Sequence, residues 1–419
     1  MPPPPLSSSP DADALLRTQV AYLEEASPWY RARLGPLAGR VRGAADLPAL
    51  PFTTKEELRE SQRAQPPFGA HLCASPERLV RIHVTSGTTG DPVAIGLTRR
   101  DHEANSAIGA EAFRIAGVGR SLTIAHCLNY ALYAGGIADH MALEAAGATV
   151  VPVGVGQSLR LLELIPQLGI TAIFGTLSFP SYLAERAEEA GVEPRSLGLR
   201  HLVTAGEPGA GLAALRRRIE ATWGCPVRDT FGMSDVWSTM GGDCGEGEGL
   251  HLATDGHAVL EVVDPESARP LALEDGAVGE LVWTHLRREA SPLLRYRSRD
   301  LARIFTAPCA CGRSSVRVHI QGRVDDRLRI RGVNVYPSAI GALLARTPAL
   351  GRWQVVVNGD PIEPPVRLEV EAEASAEADL PRVAEELRRR LGATFEVIRL
   401  DPGSLPVEEH KTPLVRRLP

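Results

Sequence analysis

The chain has 419 residues, a formal net charge of −5 and a sequence pI near 6.2. This length exceeds one average domain, and the mild acidity gives no reason to expect a nucleic acid or an anionic membrane as partner. Residues 1–10 lack the basic and apolar regions of a signal peptide, and no run of about 18 uncharged apolar residues predicts a membrane span. Six cysteines are too few for a disulfide scaffold at this size, so we expect a cytoplasmic protein with reduced thiols.

In chain order, the proline- and serine-rich start predicts a disordered tail over residues 1–12. An apolar run predicts a strand over 79–84. Helices are then predicted over 106–116, 138–146, 158–168 and 179–190, alternating with strands over 121–126, 148–153, 170–174 and 199–204. This alternation is typical of an α/β fold, in which ligand loops follow the carboxyl ends of the strands. Strands over 258–264, 279–284 and 302–305 follow, and then a helix over 381–391 and a strand over 395–400.

A loop rich in glycine and hydroxyl groups follows the strand predicted over 79–84. Its residues are Thr85, Ser86, Gly87, Thr88, Thr89 and Gly90. The two glycines allow a tight turn that exposes backbone N–H groups, and the four hydroxyls add donors, so the loop favours a polyphosphate ligand. No Lys follows the second Gly, which excludes the pattern of P-loop NTPases. An ordinary surface loop is the alternative that these residues leave open.

Four potential metal ligands occur downstream of the predicted α/β region. Cys309 and Cys311 lie in a Cys-Ala-Cys-Gly sequence, and Cys244 and His251 flank a glycine-rich stretch. A Cys₃His set is typical of structural zinc. The alternative is a thiol pair without metal, because Cys-x-Cys is shorter than the commoner Cys-x₂-Cys spacing. The other cysteines, Cys73, Cys127 and Cys225, are predicted to be small buried apolar residues.

Six segments, in their order along the chain, resemble the adenylate-forming (acyl-CoA synthetase) superfamily and specifically its phenylacetate-CoA ligase branch. They are residues 85–92, 205–208, 229–235, 279–282, 295–300 and 322–328. The resemblance covers nearly the whole chain after the tail. It implies an α/β fold with a large N-terminal domain, residues 13–322, of mixed sheets flanked by helices. A small mobile α+β domain, residues 323–419, would follow it.

The resemblance also implies a reaction in two steps that uses ATP, magnesium and coenzyme A. A carboxylate attacks the α-phosphorus of ATP to form an acyl-adenylate and pyrophosphate, and a thiol then displaces AMP. By resemblance, residues 85–90 hold the β- and γ-phosphates, and Asp300 binds the ribose hydroxyls. Asp235 occupies the position of a magnesium-binding Glu and is one methylene shorter. The other nucleotide-binding residues implied are Ala205, Gly206 and Glu207 at the adenine, and Thr230, Phe231 and Gly232 across the nucleotide.

The second step would depend on rotation of the small domain. The resemblance implies a hinge at Asp325, a ribose contact from Arg323, and a thiol path past Gly332. Lys411 would bridge the carboxylate and the α-phosphate during adenylation. It is one of only two lysines in the chain, the other being Lys55.

The sequence identifies the substrate less closely than it identifies the reaction. By resemblance, Tyr130, Tyr133 and Gly136 wall a flat ring pocket, which favours a small aromatic acid such as phenylacetate, benzoate or anthranilate. His126, Ser178 and His201 are each either a polar group aimed at a ring substituent or a satisfied core residue. Three functions remain open: an aryl acid:CoA ligase, an enzyme that loads a carrier protein, and a zinc-stapled nucleotide-binding protein without chemistry. No nucleic-acid or membrane partner is expected, and the oligomeric state is not predicted.

Overall fold

The computed structural model describes residues 10–85, 91–207, 213–331, 333–359, 362–405 and 414–418. The helices of these residues, in chain order, are α1 (Pro10–Ala26), α2 (Pro28–Leu34), α3 (Lys55–Ala64), α4 (Arg99–Ile115), α5 (Ile137–Ala146), α6 (Ser158–Leu168), α7 (Phe179–Glu189), α8 (Ala213–Trp223), α9 (Pro337–Leu344) and α10 (Leu380–Leu391). The strands are β1 (Leu79–Val84), β2 (Ala94–Thr98), β3 (Thr123–His126), β4 (Thr149–Pro152), β5 (Ala172–Gly175), β6 (His201–Thr204), β7 (Val227–Met233), β8 (Trp237–Gly242), β9 (Leu250–Leu252), β10 (Ala258–Val263), β11 (Val278–His285), β12 (Tyr296–Phe305), β13 (Arg317–Arg323), β14 (Leu328–Ile330), β15 (Val333–Val335), β16 (Leu350–Val357), β17 (Val366–Ala372), β18 (Phe395–Leu400) and β19 (Val415–Arg417).

A large mixed sheet organises the first three quarters of the chain. Its strand order is β10-β11-β12-β13-β9-β8-β7-β6-β5-β3-β4. The strands from β7 to β4 pair in parallel, whereas those from β7 to β10 pair antiparallel. The prediction of an α/β fold with a mixed sheet flanked by helices is confirmed. β7 is the junction between the two halves, because it pairs in parallel with β6 and antiparallel with β8.

The parallel half follows from alternating buried strands and amphipathic helices. β5 is buried along its whole length, and its Phe174 packs edge-to-face on Phe113 of α4. α5 ends at Gly147, whose φ of +108° is left-handed and suits glycine at a helix C-cap. The carboxyl ends of β3, β5 and β6 therefore meet at one edge of the sheet.

The N-terminal region differs from the sequence prediction. α1 begins at Pro10, so residues 10–12, predicted to belong to a disordered tail, form its first turn, while residues 1–9 lie outside the described part. Ala12 is 4% exposed and packs in one apolar cluster with residues of α1, α2 and the antiparallel strands. Tyr30 donates from its hydroxyl to the Pro292 carbonyl at 2.6 Å. Burial of this apolar face stabilises helices that the local sequence did not predict.

The last part of the chain has its own apolar core. β14 and β15 form a hairpin, and the sheet β18-β17-β16-β19 packs against α9 and α10. That core contains residues from Leu328 onward, whereas Arg323 still pairs with Asp300 as the last residue of β13. Arg323, predicted as the first residue of the small domain, is therefore part of the large sheet. Asp325 lies in the turn between β13 and β14.

Candidate active site and metal cluster

Two loops after parallel strands meet where the sequence predicts an adenine site. Ala205 follows β6, and its N–H donates to the Gly175 carbonyl at the end of β5 at 3.0 Å. The Glu207 carboxylate accepts hydrogen bonds from the backbone N–H and the hydroxyl of Ser178, at 2.8 and 3.0 Å. Gly206 has a left-handed φ of +81°, which favours glycine. A Cβ there would meet no heavy atom within 4 Å, so steric crowding is not the reason for glycine at this position. The structure thus joins Glu207 to Ser178, 29 residues away in sequence.

Strand β7 places Thr230, a predicted nucleotide-binding residue, beside the last residue of β6. Thr230 is 4% exposed and donates from its hydroxyl to the Thr204 carbonyl at 2.9 Å. A Cβ on Gly232 would lie 1.9 Å from the Ser238 carbonyl oxygen, so a side chain there cannot be accommodated. Gly232 and Ser238 lie in β7 and β8, on either side of the turn that contains Asp235.

The predicted ribose-binding carboxylate lies in β12, opposite Arg323 of β13. Asp300 is 7% exposed, and its carboxylate oxygen is 3.6 Å from a guanidinium nitrogen of Arg323. Burial raises the pKa of Asp300 to about 6, although the charge of Arg323 opposes this rise. Asp300 therefore ionises close to neutral pH, a property typical of carboxylates at functional sites.

The predicted magnesium ligand, Asp235, lies in the turn between β7 and β8, and its charge adds to the rise in the pKa of Asp300. Asp235 is 8% exposed, and its Oδ2 is 3.4 Å from Nζ of Lys55 at the start of α3. Burial and the Asp235 charge raise the pKa of Tyr296 well above its ordinary value. Magnesium is commonly held by one or two carboxylates together with substrate phosphates, so a single buried Asp235 fits this ion.

The predicted acyl pocket is built on the loop after β3. The Tyr130 ring lies 4.7 Å from that of His126, and its hydroxyl is 2.8 Å from Nδ1 of His140. A Cβ on Gly136 would lie 2.4 Å from the Asn129 carbonyl oxygen, so the loop folds back on itself only with glycine. Tyr133 is half-buried in the intervening turn.

His126, for which the sequence left two roles open, is fully buried and packs against Tyr130. Neither of its ring nitrogens has a hydrogen-bond partner within the described part of the chain. Burial lowers the pKa of His126 to about 4, with His140 adding to the effect, so the ring is neutral at pH 7. In contrast, Nε2 of His201 lies 2.7 Å from the Ala116 carbonyl oxygen. His201 therefore fits the alternative of a core residue whose ring has a hydrogen-bond partner.

Several predicted site residues lie outside the described residues. They are Ser86, Gly87, Thr88, Thr89 and Gly90 of the phosphate loop, Gly332 of the thiol path and Lys411. The base of the phosphate loop is described: the Thr85 N–H donates to the Val93 carbonyl, and the Val93 N–H donates to the Thr85 hydroxyl, both at 3.0 Å. These two bonds join the residues on either side of the loop.

The four predicted metal ligands come together. One ligand atom from each of Cys244, His251, Cys309 and Cys311 lies within 4.8 Å of all the others. The closest pairs are Cys244 Sγ to Cys309 Sγ at 3.6 Å and Cys311 Sγ to His251 Nε2 at 3.3 Å. Four soft or borderline donors at these separations fit a tetrahedral zinc ion.

The surroundings orient these ligands. Nδ1 of His251 lies 3.2 Å from the Ser315 carbonyl and 3.0 Å from its hydroxyl, which leaves Nε2 to face the thiols. Such a second contact selects the tautomer that a metal needs. A Cβ on Gly247 would lie 3.1 Å from Cys309 Sγ, so a side chain there would force this thiol to shift. The cluster joins the loop after β8 to the loop before β13.

Sequence reasoning did not predict a role for Lys55 or the Glu207–Ser178 contact. The signal available for Lys55 was the scarcity of lysine in the chain. Its partner Asp235 is 180 residues away, so only the fold brings the two together.

Two family models and several known ligases match this chain. Residues 32–285 match the family model described as "AMP-binding enzyme", and residues 332–416 match "AMP-binding enzyme C-terminal domain". A phenylacetate-coenzyme A ligase of Thermus thermophilus is 36% identical, with 94% of this chain and 92% of that protein covered. A phenylacetate-coenzyme A ligase of Escherichia coli K12 is 32% identical, covering 94% and 91%.

Solved structures of a 2-hydroxyisobutyryl-CoA ligase also resemble the chain. In the postadenylation state with R3-HIB-AMP, that ligase matches with a TM-score of 0.88 at 29% identity, covering 97% of this chain and 88% of that one. In the thioesterification state with 2-HIB-AMP and CoA, the TM-score is 0.71 at 30% identity, covering 97% and 89%.

No helix among the described residues is both long and apolar enough to span a membrane. The family-model match covers more than half of the chain, and each of the two phenylacetate-coenzyme A ligases covers 94% of it at more than 30% identity. The chain therefore belongs to the AMP-binding enzyme family, as an AMP-forming ligase similar to the phenylacetate-CoA ligases.

Proposed function

We propose that this enzyme uses ATP to convert a small aromatic carboxylic acid to its acyl-adenylate and then transfers the acyl group to coenzyme A. The observation that carries the proposal is the pair of buried carboxylates Asp300 and Asp235, which lie close enough for the Asp235 charge to add to the rise in the pKa of Asp300. Relatives named phenylacetate-coenzyme A ligase support both the reaction and the substrate class. His126, whose ring lies 4.7 Å from that of Tyr130, is neutral at pH 7 and so adds no positive charge beside the predicted ring-binding residues.

In the first step, a carboxylate oxygen of the acid attacks the α-phosphorus of ATP, and the bond to the bridging oxygen breaks to release pyrophosphate. Asp300 accepts from the two ribose hydroxyls, and residues 205–207 border the adenine. Asp235 is the carboxylate that would hold magnesium, which supplies charge neutralisation when bound. Lys411 meets the charge that develops between the carboxylate and the α-phosphate.

In the second step, the sulfur of coenzyme A attacks the acyl carbonyl and AMP leaves. We infer that the small domain rotates between the steps about Asp325, and that Arg323 contacts the ribose in one of the two arrangements. Support comes from the 2-hydroxyisobutyryl-CoA ligase, whose postadenylation and thioesterification states match this chain with TM-scores of 0.88 and 0.71. Gly332 would leave room for the thiol arm beside the backbone.

We also propose that the Cys₃His cluster binds one structural zinc ion. Four protein ligands leave no position open for substrate, so the ion would pin two loops and take no part in the chemistry. The support is the ligand separations and the Ser315 contact that orients His251.

The test is pyrophosphate release from ATP over a panel of aromatic and aliphatic acids, with and without coenzyme A, and mass analysis of the products. An aromatic acid should give both pyrophosphate and a CoA thioester. Pyrophosphate release with no thioester from coenzyme A, but with acylation of a carrier-protein thiol, would favour the carrier-loading alternative. Preference for a branched aliphatic acid would contradict the substrate class and leave the reaction intact.

A further inference from the structure

Strand β12 contains a bulge that ends at the buried carboxylate Asp300. The antiparallel pairing of β11 with β12 places three residues of β12, 298–300, opposite the single residue Leu281 of β11. Within the bulge, Arg299 has a φ of +66°, in the left-handed region that residues other than glycine, asparagine and aspartate rarely adopt. A bulge changes the direction in which neighbouring side chains leave the strand, and Asp300 is the next residue.

Hydrogen bonds on both sides hold this bulge in one conformation. The Ser298 hydroxyl donates to the Leu281 carbonyl at 2.9 Å and accepts from the Asp300 N–H at 3.2 Å. It thereby replaces ladder bonds that the extra residues interrupt. The Arg299 carbonyl accepts from the Val324 N–H at 2.7 Å. The bulge is therefore bonded to β11 on one side and to the residue after β13 on the other.

The carboxylate of Glu280 stabilises Arg299 in its left-handed conformation. Glu280 is fully buried; its Oε1 accepts from the Arg299 N–H at 3.3 Å, and its Oε2 lies 3.7 Å from the Arg299 guanidinium. Nε of Arg297 also donates to the two oxygens of this carboxylate, at 3.1 and 3.2 Å. A buried carboxylate between two cations is a fixed point of the fold, because leaving them would strand its charge. The Arg299 side chain itself is 40% exposed, so substitutions there should leave the core intact.

From this arrangement we propose that Arg299 is a positioning residue of the adenylation site: its left-handed backbone, held by Glu280, aims the Asp300 carboxylate at the ribose hydroxyls of ATP. This rests on the proposed ATP-dependent function and on Asp300 as the residue that binds the ribose. One carboxylate accepts from two hydroxyls only when its oxygens face them, so a change in the direction of Asp300 removes one or both hydrogen bonds. The backbone conformation of Arg299 carries this role, and its guanidinium does not touch the nucleotide.

The experiment measures equilibrium binding of ATP, AMP and dideoxy-AMP, which lacks both ribose hydroxyls, for the wild type, Arg299→Gly, Arg299→Asn and Arg299→Val. Glycine and asparagine tolerate a positive φ, whereas the β-branched valine does not. Arg299→Val should therefore weaken AMP binding about 30-fold, as expected for lost hydrogen bonds to a charged group, and should reduce the preference for AMP over dideoxy-AMP by the same factor. Arg299→Gly and Arg299→Asn should bind AMP within about threefold of the wild type.

Two controls accompany these variants. Binding of dideoxy-AMP should be similar in all of them, which shows that each variant is folded. Arg303→Val makes the same exchange at an exposed residue of β12 that has no positive φ, so it should change neither affinity.

Action through Asp300 is tested by repeating Arg299→Val in an Asp300→Asn background, where it should cause little further loss of AMP affinity. If Arg299→Gly weakened AMP binding as much as Arg299→Val, the guanidinium would be responsible and the proposal would be wrong. An unchanged preference for AMP over dideoxy-AMP in Arg299→Val, or its full loss of affinity in the Asp300→Asn background, would also overturn it. If the wild-type enzyme bound neither AMP nor ATP, the proposed function itself would fail, which is a different result from any of these.

Discussion

Asp300→Asn should weaken ATP binding while leaving the protein at least as stable as the wild type. The carboxylate is 7% exposed, and burial raises its pKa from 3.8 to about 6. A rise of this size means that ionisation of Asp300 in the folded protein costs about 3 kcal/mol. An Asn side chain is nearly isosteric and has no charge to bury. The substitution also removes the attraction between Asp300 and Arg323, but this loss offsets little of the gain in stability. The Arg323 guanidinium is 38% exposed and also pairs with Asp325 at 2.8 Å.

The same substitution should weaken the binding of ATP. An amide oxygen can accept from one ribose hydroxyl, but its NH₂ group cannot accept from the second. Losing one hydrogen bond to a charged group costs roughly 1.5 to 3 kcal/mol, or about 10- to 100-fold in affinity.

The assays are the Michaelis constant for ATP in pyrophosphate release and the thermal unfolding midpoint of the ligand-free protein. Glu163→Gln, on the surface of α6, is the control that removes a carboxylate far from the site and should change neither. A lower unfolding midpoint for Asp300→Asn together with an unchanged Michaelis constant for ATP would refute the assignment of Asp300 to the ribose.

Three further outcomes are expected. Cys309→Ser should release about one zinc per chain and lower the free energy of unfolding by several kcal/mol, while protein that remains folded still forms the adenylate; metal analysis of the intact wild type that finds no zinc would contradict this. Lys411→Ala should slow adenylation about a hundredfold or more but still convert preformed acyl-adenylate and coenzyme A to thioester, whereas Gly332→Leu should do the reverse; equal slowing of both steps in Lys411→Ala would rule out the rotating-domain mechanism. The Michaelis constant for ATP should rise as pH falls below about 6, because Asp300 gains a proton there. In ligand-free protein, the folded state binds this proton more tightly than the unfolded state does, so the contribution of Asp300 to stability should fall as pH rises through 6. If the Michaelis constant for ATP had the same pH dependence in Asp300→Asn, the assignment of Asp300 would be contradicted.

Local sequence patterns were sufficient for much of the fold and part of the site. The alternation of apolar strands with amphipathic helices predicted the parallel half of the sheet, and the helix over 158–168 has the bounds that its periodicity indicated. The types and order of Cys244, His251, Cys309 and Cys311 were enough to predict a metal cluster, whose ligand atoms the fold brings within 4.8 Å. Such signals are local because side-chain periodicity and ligand chemistry are properties of short segments.

Tertiary packing decided what no short segment encodes. α1 and α2 are stabilised by burial against distant antiparallel strands, so the tail prediction failed at residues 10–12. Gly232 is required by the Ser238 carbonyl of the next strand, and the burial of His126 by helices and loops around β3 sets its neutral state. The pairing of Lys55 with Asp235 joins the start of α3 to a turn 180 residues later. The sequence by itself determined which chemical groups are present, but the distances and burial that make them a site arise only when remote surfaces pack together.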